Sequence, residues 1–451
     1  MTTVHERHLD WTSKQGRILT DHGRANELYS QSRGFPFSRN ELPHFLLESG
    51  ATHDAFEIWR KKQPTRGSEL ICGAWSRILF VGGGEHSSLE EERSWNVQSN
   101  TMFIDLRIPR TREVVLCKHR PSSLSELSTY ELRLFARQHV FAGFTQVQFC
   151  RDSLSSTTSH NYSRHSQYPI VCTRHHCMDW NYIGIPRPRP NKWYVEPITI
   201  VKNKVTTQIQ DSNLNLVTQN KISEANPQTL RLFKEWSFAT DDHSQSYYFE
   251  TWEDKSISRE IVLVLRKAPS NQQPSTEADR REDGLLVVVG NHFNYLHGRR
   301  QGWKNAVQTL INQLGENTSP GNLVELVDAA IERGLNRNLV EHLLDVDAGH
   351  GLVHSDENEF RTWTLDCAIQ PWKEGSSLFQ GATLKLVVPP NSNKIHDCYL
   401  MWNQERWNIF ECSITSISML TELFRISQNQ AVTTTTTMSK LKYRDNLTSK
   451  L

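Results

Sequence analysis

The amino-acid sequence predicts a mainly β protein made of antiparallel barrels or sandwiches, with helices in a minority. Residues 101–108 (TMFIDLRI) alternate apolar and mixed side chains with a period of two, as in a strand with one buried face. Two β-branched runs, at 261–265 and 285–289, are bounded by polar loops or glycine. Because strands and helices do not alternate regularly along the chain, a parallel α/β sheet is disfavoured.

Composition limits the class of protein. The chain has 451 residues, enough for two or three domains, and 37% of them are apolar. Its 13 Trp and 18 Phe residues concentrate burial in large side chains, so substantial cores can form. Lys and Arg total 51 against 50 Asp and Glu, which leaves no basic surplus for neutralising phosphates. We therefore expect no nucleic-acid partner.

Several features of the sequence predict a cytoplasmic protein. The first residues, MTTVHERHLDWTSKQG, lack the apolar segment of a secretory signal. The longest apolar run, 285–289, is far shorter than the roughly 20 residues of a membrane-spanning helix. The eight cysteines are scattered and are expected to be reduced thiols. We expect no membrane span.

Six sequence blocks occur in an order that is typical of two protein families. They are GAWSRI (73–78), SWNVQSNTMFIDLRIPR (94–110), FAG (141–143), FETWED (249–254), DGLLVVVGNHFNYLHGR (283–299) and WTLDCAIQPWKEG (363–375). In these blocks the chain resembles a bacterial family of uncharacterised lipocalin-like proteins. It also resembles the fungal Hri-type family, whose members fold as two lipocalin-like β-barrels. The segment CTRHHCMDW (172–180) departs from the pattern, with Arg174 where Trp is usual. The resemblance implies a fold and no particular reaction.

Polar segments without periodicity divide the chain. They predict a flexible N-terminal arm at 1–34, a linker or long loop at 201–227 and a disordered tail at 428–451. Together with the resemblance, the strand patterns predict one lipocalin-like barrel at 35–200 and a second at 228–427. The second barrel carries a small helical insertion at 303–344, which is expected to pack outside it or to cap an opening. Within the insertion, Trp303 to Leu314 has a clear amphipathic stripe.

Asp105 and Arg107 are the first candidate catalytic residues. They are two positions apart on the mixed face of a strand, so both side chains can point into a barrel. A guanidinium group can clamp a carbonyl or carboxylate of an otherwise apolar ligand. The alternative is a structural ion pair that closes the end of the barrel.

Glu250 and His292 complete the candidate catalytic set. Glu250 shares a strand face with Trp252, which suits general acid–base chemistry, although an acidic face of this kind is more commonly a solvated one. His292 follows a strand end at a glycine and suits a catalytic base, although the same position is normal for a turn residue.

A cluster of thiols and imidazoles invites comparison with a zinc site. Its members are Cys172, His175, His176 and Cys177. On a strand, however, Cys172 and His176 face one side while His175 and Cys177 face the other. The sequence has no second CxxC or HxxxH to complete a ligand set. We therefore expect no metal and no cofactor.

Three functions remain open. The leading expectation is a binding protein that holds a small, mostly apolar molecule inside a barrel, lined by Trp95, Phe103, Trp180 and Trp252. The second is a cofactor-independent isomerase, cyclase or hydratase of specialised metabolism that acts on an apolar metabolite. In that case Asp105, Arg107, Glu250 and His292 should converge within one cavity. The third is a protein-interaction scaffold that recruits a protein partner through its two tails.

Overall fold

The computed structural model of this chain describes eleven stretches of residues. They are 68–82, 92–149, 170–184, 191–201, 229–237, 248–268, 281–315, 318, 320–355, 360–390 and 394–426. The predicted arm (1–34) and tail (428–451) lie outside them. The predicted linker (201–227) also lies outside, apart from Val201, the last residue of a strand.

Strands dominate the described residues, as the sequence predicts. In chain order they are β1 Gly73–Gly82, β2 Glu92–Gln98, β3 Met102–Pro109, β4 His139–Phe149, β5 Ile170–Asp179, β6 Asn191–Val201, β7 Thr229–Ser237, β8 Tyr248–Asp254, β9 Val262–Lys267, β10 Gly284–Val289, β11 His292–His297, β12 Asp347–Ser355, β13 Arg361–Ala368, β14 Leu384–Val387, β15 Tyr399–Trp402 and β16 Glu405–Cys412.

The helices are shorter and fewer. They are α1 Ser68–Ile71, α2 Arg110–His119, α3 Thr129–Ala136, α4 Trp303–Leu314, α5 Leu323–Glu332, α6 Arg337–Leu344 and α7 Ile417–Leu423, with 3₁₀ turns at Leu124–Glu126, Pro371–Lys373 and Ile395–Asp397. Local sequence sets their starts. Ser128 and Glu131 form a reciprocal capping box at α3, and the Asn322 side chain accepts a hydrogen bond from the Glu325 N–H at α5.

Strands β1 to β8 form a closed antiparallel barrel in which each strand pairs with the next along the chain. Pairing of β1 with β8 closes it, in a register that places Trp75 opposite Asp254 and Gly82 opposite Tyr248. Successive side chains of a strand point to opposite faces, so alternate residues point into the barrel and away from it.

Strands β9 to β16 form a second antiparallel sheet, which curls into a half-barrel. Its strand order is β13-β12-β11-β10-β9-β16-β15-β14, so β13 and β14 are its edges. A row of rings spans its interior: Trp363 contacts Phe379 at 5.2 Å between centroids, and Phe379 contacts Trp402 at 4.8 Å. Phe424, just after α7, stacks on Trp363 at 5.6 Å. Packed side chains therefore fill the space between the two edge strands.

The boundary between the two sheets differs from the predicted one. The prediction assigns residues 228–427 to the second barrel, but β7 and β8 pair with β6 and β1 and complete the first barrel. The first barrel thus extends to Asp254, well past the predicted limit of 200, and the second sheet begins at Val262. Period-two patterns identify strands but not their partners, and the polar segment before β7 has the composition of a domain linker.

One hydrophobic core joins the two sheets, which pack against each other through β2 and β3 on one side and β10 and β11 on the other. The core takes alternate residues from each sheet, among them Met102, Ile104, Leu106, Ile108, Val262, Val264, Val287 and Val289. The intervening residues Leu263, Leu265, Leu286 and Val288 lie in a separate core within the half-barrel. Both faces of β9 and β10 are therefore buried, which explains why the runs 262–265 and 285–289 are apolar at every position.

Helices α5 and α6 of the predicted 303–344 insertion pack against α3 of the first barrel, and α3 in turn contacts α2. Leu310, Leu326 and Leu343, one from each helix of the insertion, belong to the core shared by the sheets. At the α3–α5 contact, Arg137 and Arg133 both bind the carboxylate of Asp328, at 2.5 and 2.8 Å. The insertion is thus part of a helical layer to which both halves of the molecule contribute.

Candidate functional site

The alternation in β3 turns Phe103, Asp105 and Arg107 into the first barrel. Their neighbours Met102, Ile104 and Leu106 point the other way, into the shared core. Asp105 is completely buried and Arg107 is 7% exposed. The predicted pairing of an acid and a base on one inner face is therefore present in the structure.

A chain of ion pairs crosses the interior of this barrel. Arg107 binds Asp105 at 2.9 Å and Glu250 at 3.4 Å, and Arg77 binds Glu250 at 2.9 Å. At its ends, Arg77 also binds Glu92 at 2.8 Å and Arg174 binds Asp105 at 3.3 Å. We call these six residues, Arg77, Glu92, Asp105, Arg107, Arg174 and Glu250, the barrel network. Three guanidinium groups face three carboxylates within it.

The ion pairs of the barrel network determine how its groups titrate. Burial by itself would raise the pKa of Asp105, but the adjacent charges of Arg107 and Arg174 outweigh it, so that pKa lies below its usual value. Burial would also lower the pKa of Arg107, yet Asp105 and Glu250 hold it well above the usual value. Both side chains are therefore charged at neutral pH.

Glu235 behaves differently. It lies opposite Glu250 in the β7–β8 ladder and is 2% exposed. Burial first, and then the charge of Glu250, raises the pKa of Glu235 to about 8. This carboxyl group therefore retains its proton at neutral pH and can donate a hydrogen bond inside the barrel.

The described interior of the first barrel contains a small pocket. The enclosed space there measures about 10 Å³ and is lined on its polar side by Asn96, Gln98, Thr145, Arg174 and Glu235. Its apolar side is packed with rings, including Trp75 against Phe233 at 4.4 Å between centroids. A space of this size holds at most a water molecule.

His292, the fourth candidate catalytic residue, lies apart from the barrel network. Its Nδ1 is 3.4 Å from Nε2 of His350 on the neighbouring strand, and its Nε2 is 3.0 Å from the Lys255 carbonyl oxygen. Burial lowers the pKa of both imidazoles, that of His350 the more strongly. The structure therefore brings together Asp105, Arg107 and Glu250 but separates His292 from them.

The four aromatic residues predicted to line a ligand site occupy three different places. Phe103 and Trp252 lie within the first barrel, and the Trp252 indole donates a hydrogen bond to Glu250 at 3.0 Å. Trp95 lies between the sheets, stacked on His350 at 3.8 Å between centroids. Trp180 follows β5 and forms part of a separate cavity. These residues do not form one aromatic pocket.

The predicted cluster of thiols and imidazoles in β5 does not assemble into a metal site. Cys172 belongs to the apolar interior of the first barrel, and His175 pairs with Gln146 at 2.5 Å. His176 pairs with Asp179 at 2.9 Å. Within the described stretches, no three His, Cys, Asp or Glu side chains are grouped so as to hold a metal ion.

A larger cavity, of about 290 Å³, lies where the end of β5 meets β10, β11 and α4. Both halves of the molecule line it. The first barrel contributes Val140, Cys177, Met178, Asp179, Trp180 and Tyr182, and the second half contributes Glu282, Asp283, Leu296, Gly298, Arg299, Trp303, Lys304 and Val346. We call it the junction cavity. Its volume lies at the lower end of the range of small-molecule sites.

Arg299 is fixed in the wall of the junction cavity. Its guanidinium group donates hydrogen bonds to the carbonyl oxygens of Leu343 and Tyr182, both at 2.8 Å, and to that of Trp180. Burial lowers the pKa of Arg299 to about 10, against the opposing charges of Asp179 and Glu282. The side chain is thus still charged at neutral pH and braces the aromatic wall.

Lys304 and Glu282 form the charged rim of the junction cavity and are less tightly bound than Arg299. Lys304 lies 3.8 Å from the Glu282 carboxylate, and the two side chains are 67% and 39% exposed. The same carboxylate accepts a hydrogen bond from the Trp303 indole at 2.9 Å. Burial raises the pKa of Asp283 deeper in the wall, despite the charge of Arg266 nearby.

Sequence reasoning singled out Trp180 but missed the other groups of the junction cavity. Arg299 closes the block DGLLVVVGNHFNYLHGR, which carries part of the family resemblance, and Trp303 opens the clearest amphipathic helix. The positions of Arg299 in that block and of Trp303 at that helix start are the sequence signals for the two residues. No local pattern indicates that they meet residues that follow β5.

The fold and the site define a β-rich protein of two packed antiparallel sheets with a cavity at their junction. No protein-family model matches the sequence, and no curated protein matches it. Among solved structures, the chain is similar to an uncharacterised protein from Saccharomyces cerevisiae, with 13% sequence identity and a TM-score of 0.33. The match covers 75% of this chain and 98% of the yeast chain. Superposition at this level is too loose to support a conclusion about fold or function. Among the described helices, none is long and apolar enough to cross a membrane.

Proposed function

We propose that this protein binds a small molecule with an apolar, ring-bearing body, and that the junction cavity is its binding site. The observation that carries the proposal is a cavity of about 290 Å³ walled by Trp180, Tyr182 and Trp303. Aromatic walls with a few placed polar groups are typical of small-molecule sites. The apolar side chains of Val140, Leu296 and Val346 add further lining for a ligand body.

The proposed location differs from the barrel interior expected from the sequence. In the described interior of the first barrel, which holds the barrel network and packed rings, the pocket beside Glu235 measures about 10 Å³. The half-barrel is filled by its own core, where Trp363 and Trp407 are completely buried. The junction cavity is therefore the better-supported site among the described residues.

Filling the cavity tests this proposal. A Cβ added at Gly298 meets only ordinary contacts, 3.4 Å from the Asp283 carbonyl oxygen and 3.8 Å from the Met178 sulfur. We expect Gly298→Leu to fold normally, to occupy the cavity and to weaken binding of 3-methylindole at least about ten-fold, a loss of roughly 1.4 kcal/mol. Titration calorimetry measures the binding, with circular dichroism as the check on folding.

Gly298→Ala is the matched control, since it leaves most of the volume open and should bind almost as well as the parent protein. Native mass spectrometry of protein purified from its own source should also reveal a retained small molecule. If Gly298→Leu is folded and binds as tightly as Gly298→Ala, the junction cavity is not the binding site.

The second candidate function is a cofactor-independent enzyme acting within the first barrel. In its favour, Asp105, Arg107 and Glu250 are linked in one network, and the raised pKa of Glu235 supplies a proton donor at neutral pH. The space beside Glu235 and Arg174 measures about 10 Å³. The Gly298→Leu variant separates the two candidates: retained binding of 3-methylindole would favour the barrel, and loss of binding favours the junction cavity.

A further inference from the structure

We infer that the junction cavity is shaped for a small zwitterion with an aromatic side group, of which a free aromatic amino acid is the simplest example. This inference rests on the proposed function and names the class of ligand. It follows from two features of the lining, the aromatic wall and the charges of both signs at the rim.

The aromatic wall selects a flat ring. Tyr182 and Trp303 are arranged edge to face, with centroids 6.1 Å apart. Trp180 is held on the same wall because its indole nitrogen donates to the Ala136 carbonyl oxygen at 2.9 Å. Rings fixed in this way lose little freedom on binding, and each adds an edge-to-face or offset contact with an aromatic ligand.

The rim carries opposite charges that are close but not hydrogen-bonded. Lys304 and Glu282 are 3.8 Å apart, beyond the length of a good charge-assisted hydrogen bond. A zwitterion bears an ammonium and a carboxylate on neighbouring atoms. Its ammonium can bind Glu282 while its carboxylate binds Lys304, so two short bonds replace one loose pair.

Ligands with a single charge fit the lining less well. The lining carries the acids Asp179, Glu282 and Asp283 and the bases Arg299 and Lys304. A cation can pair with Glu282 but then leaves Lys304 facing a like charge, and an anion can pair with Lys304 but leaves Glu282 facing one. A neutral ring gains the aromatic contacts but leaves the loose rim pair as it is. Only a ligand with both charges engages both sets.

Four probes that share one indole ring test the inference by titration calorimetry: tryptophan, tryptamine, indole-3-propionate and 3-methylindole. We expect tryptophan to bind roughly three- to ten-fold more tightly than either singly charged probe, the gain of about one exposed charge-assisted hydrogen bond. All four should lose binding in Gly298→Leu, because they share the cavity.

Two variants at the rim assign the charges. Lys304→Met keeps an apolar stem beside Trp303 and should weaken tryptophan and indole-3-propionate while leaving tryptamine unchanged. Glu282→Gln keeps an acceptor for the Trp303 indole and should weaken tryptophan and tryptamine while leaving indole-3-propionate unchanged. Lys385→Met and Glu260→Gln remove the same charges from exposed positions outside the cavity and should have no effect.

The outcomes separate the inference from the proposal on which it rests. If tryptophan binds no more tightly than the other probes, or if the rim variants alter no preference, the inference fails. The proposed function still stands in that case, provided that 3-methylindole binding disappears in Gly298→Leu. If none of the four probes binds and no small molecule is retained in native mass spectrometry, the proposed function itself fails.

Discussion

The charges of the barrel network are balanced, and a protonated carboxyl group beside them leaves that balance unchanged. The barrel network has three positive groups, Arg77, Arg107 and Arg174, and three negative groups, Glu92, Asp105 and Glu250. With its raised pKa, Glu235 adds no charge at neutral pH, so the charges of the barrel network remain balanced. Ionisation of Glu235 would leave one buried negative charge in excess, which is costly in a dry interior.

This arrangement predicts a particular pH dependence of stability. The folded-state pKa of Glu235, about 8, lies above the ordinary value of 4.5 that applies when the chain is unfolded. The stabilisation is therefore complete below about pH 4.5 and is lost as pH rises toward 8, at up to about 1.4 kcal/mol per pH unit. We expect Glu235→Gln to remove this slope and to exceed the parent protein in stability at pH 8.5.

Urea unfolding at pH 5, 7 and 8.5 measures the effect, with Glu260→Gln as an exposed control that should behave like the parent protein. An identical pH profile for the parent protein and Glu235→Gln would mean that Glu235 is ionised in the folded state.

At the scale of strands and helices, the sequence predicts where each element lies better than it predicts which other elements that element contacts. The period-two pattern at 101–108 places Asp105 and Arg107 on the inner face of β3, as the structure has them. The strand face shared by Glu250 and Trp252 indicates β8 equally well, but it does not indicate that β8 pairs with β1, because such pairing joins residues about 170 positions apart. The junction cavity escaped prediction for the same reason, since Trp180 and Trp303 meet only through tertiary packing.

The pairing of β4 with β5 depends on one glycine. The register shifts between Ala142 and Gly143, and a Cβ at Gly143 would lie 1.8 Å from the His175 carbonyl oxygen. That oxygen belongs to the backbone of the neighbouring strand and cannot swing away. We expect Gly143→Ala to lower the free energy of unfolding by about 2–3 kcal/mol or more, as overpacked sites do.

Urea denaturation of Gly143→Ala against Gly298→Ala provides the comparison, because a Cβ at Gly298 makes only ordinary contacts. Equal stability of the two variants would mean that the His175 carbonyl oxygen of β5 leaves room for a Cβ at position 143.

At the scale of the whole molecule, hydrogen bonds and ion pairs connect the two halves in addition to their shared core. Glu411 of β16 accepts hydrogen bonds from Ser99 at 2.7 Å and from the backbone of Asn100 at 3.1 Å, both in the β2–β3 turn. Glu374 accepts from Arg93 at 3.1 Å and from Arg112 at 3.0 Å. The largest apolar core takes residues from both sheets and from the helical layer, so neither half is expected to be stable by itself.

We therefore expect the described part of the molecule to unfold in one cooperative transition. Trp fluorescence and far-ultraviolet circular dichroism should give the same urea midpoint, because rings and strands of both halves lose their packing together. Glu411→Gln weakens the carboxylate hydrogen bonds and should lower the free energy of unfolding by about 1–3 kcal/mol. The midpoint should fall accordingly, without splitting the transition. Two separated transitions would show that the halves are independent domains.

The closure of the first barrel by β1 and β8 has a consequence for the order of folding during synthesis. Arg77 and Glu250, which pair across that seam, are 173 positions apart in the chain. A ribosome must therefore extend the chain through β8 before β1 can find its second partner. Loop closure over such a distance is slow, and until it happens β1 exposes an unpaired edge that other chains could join. Chaperones that shield nascent strands would act on this protein during that interval, well before the half-barrel has been synthesised.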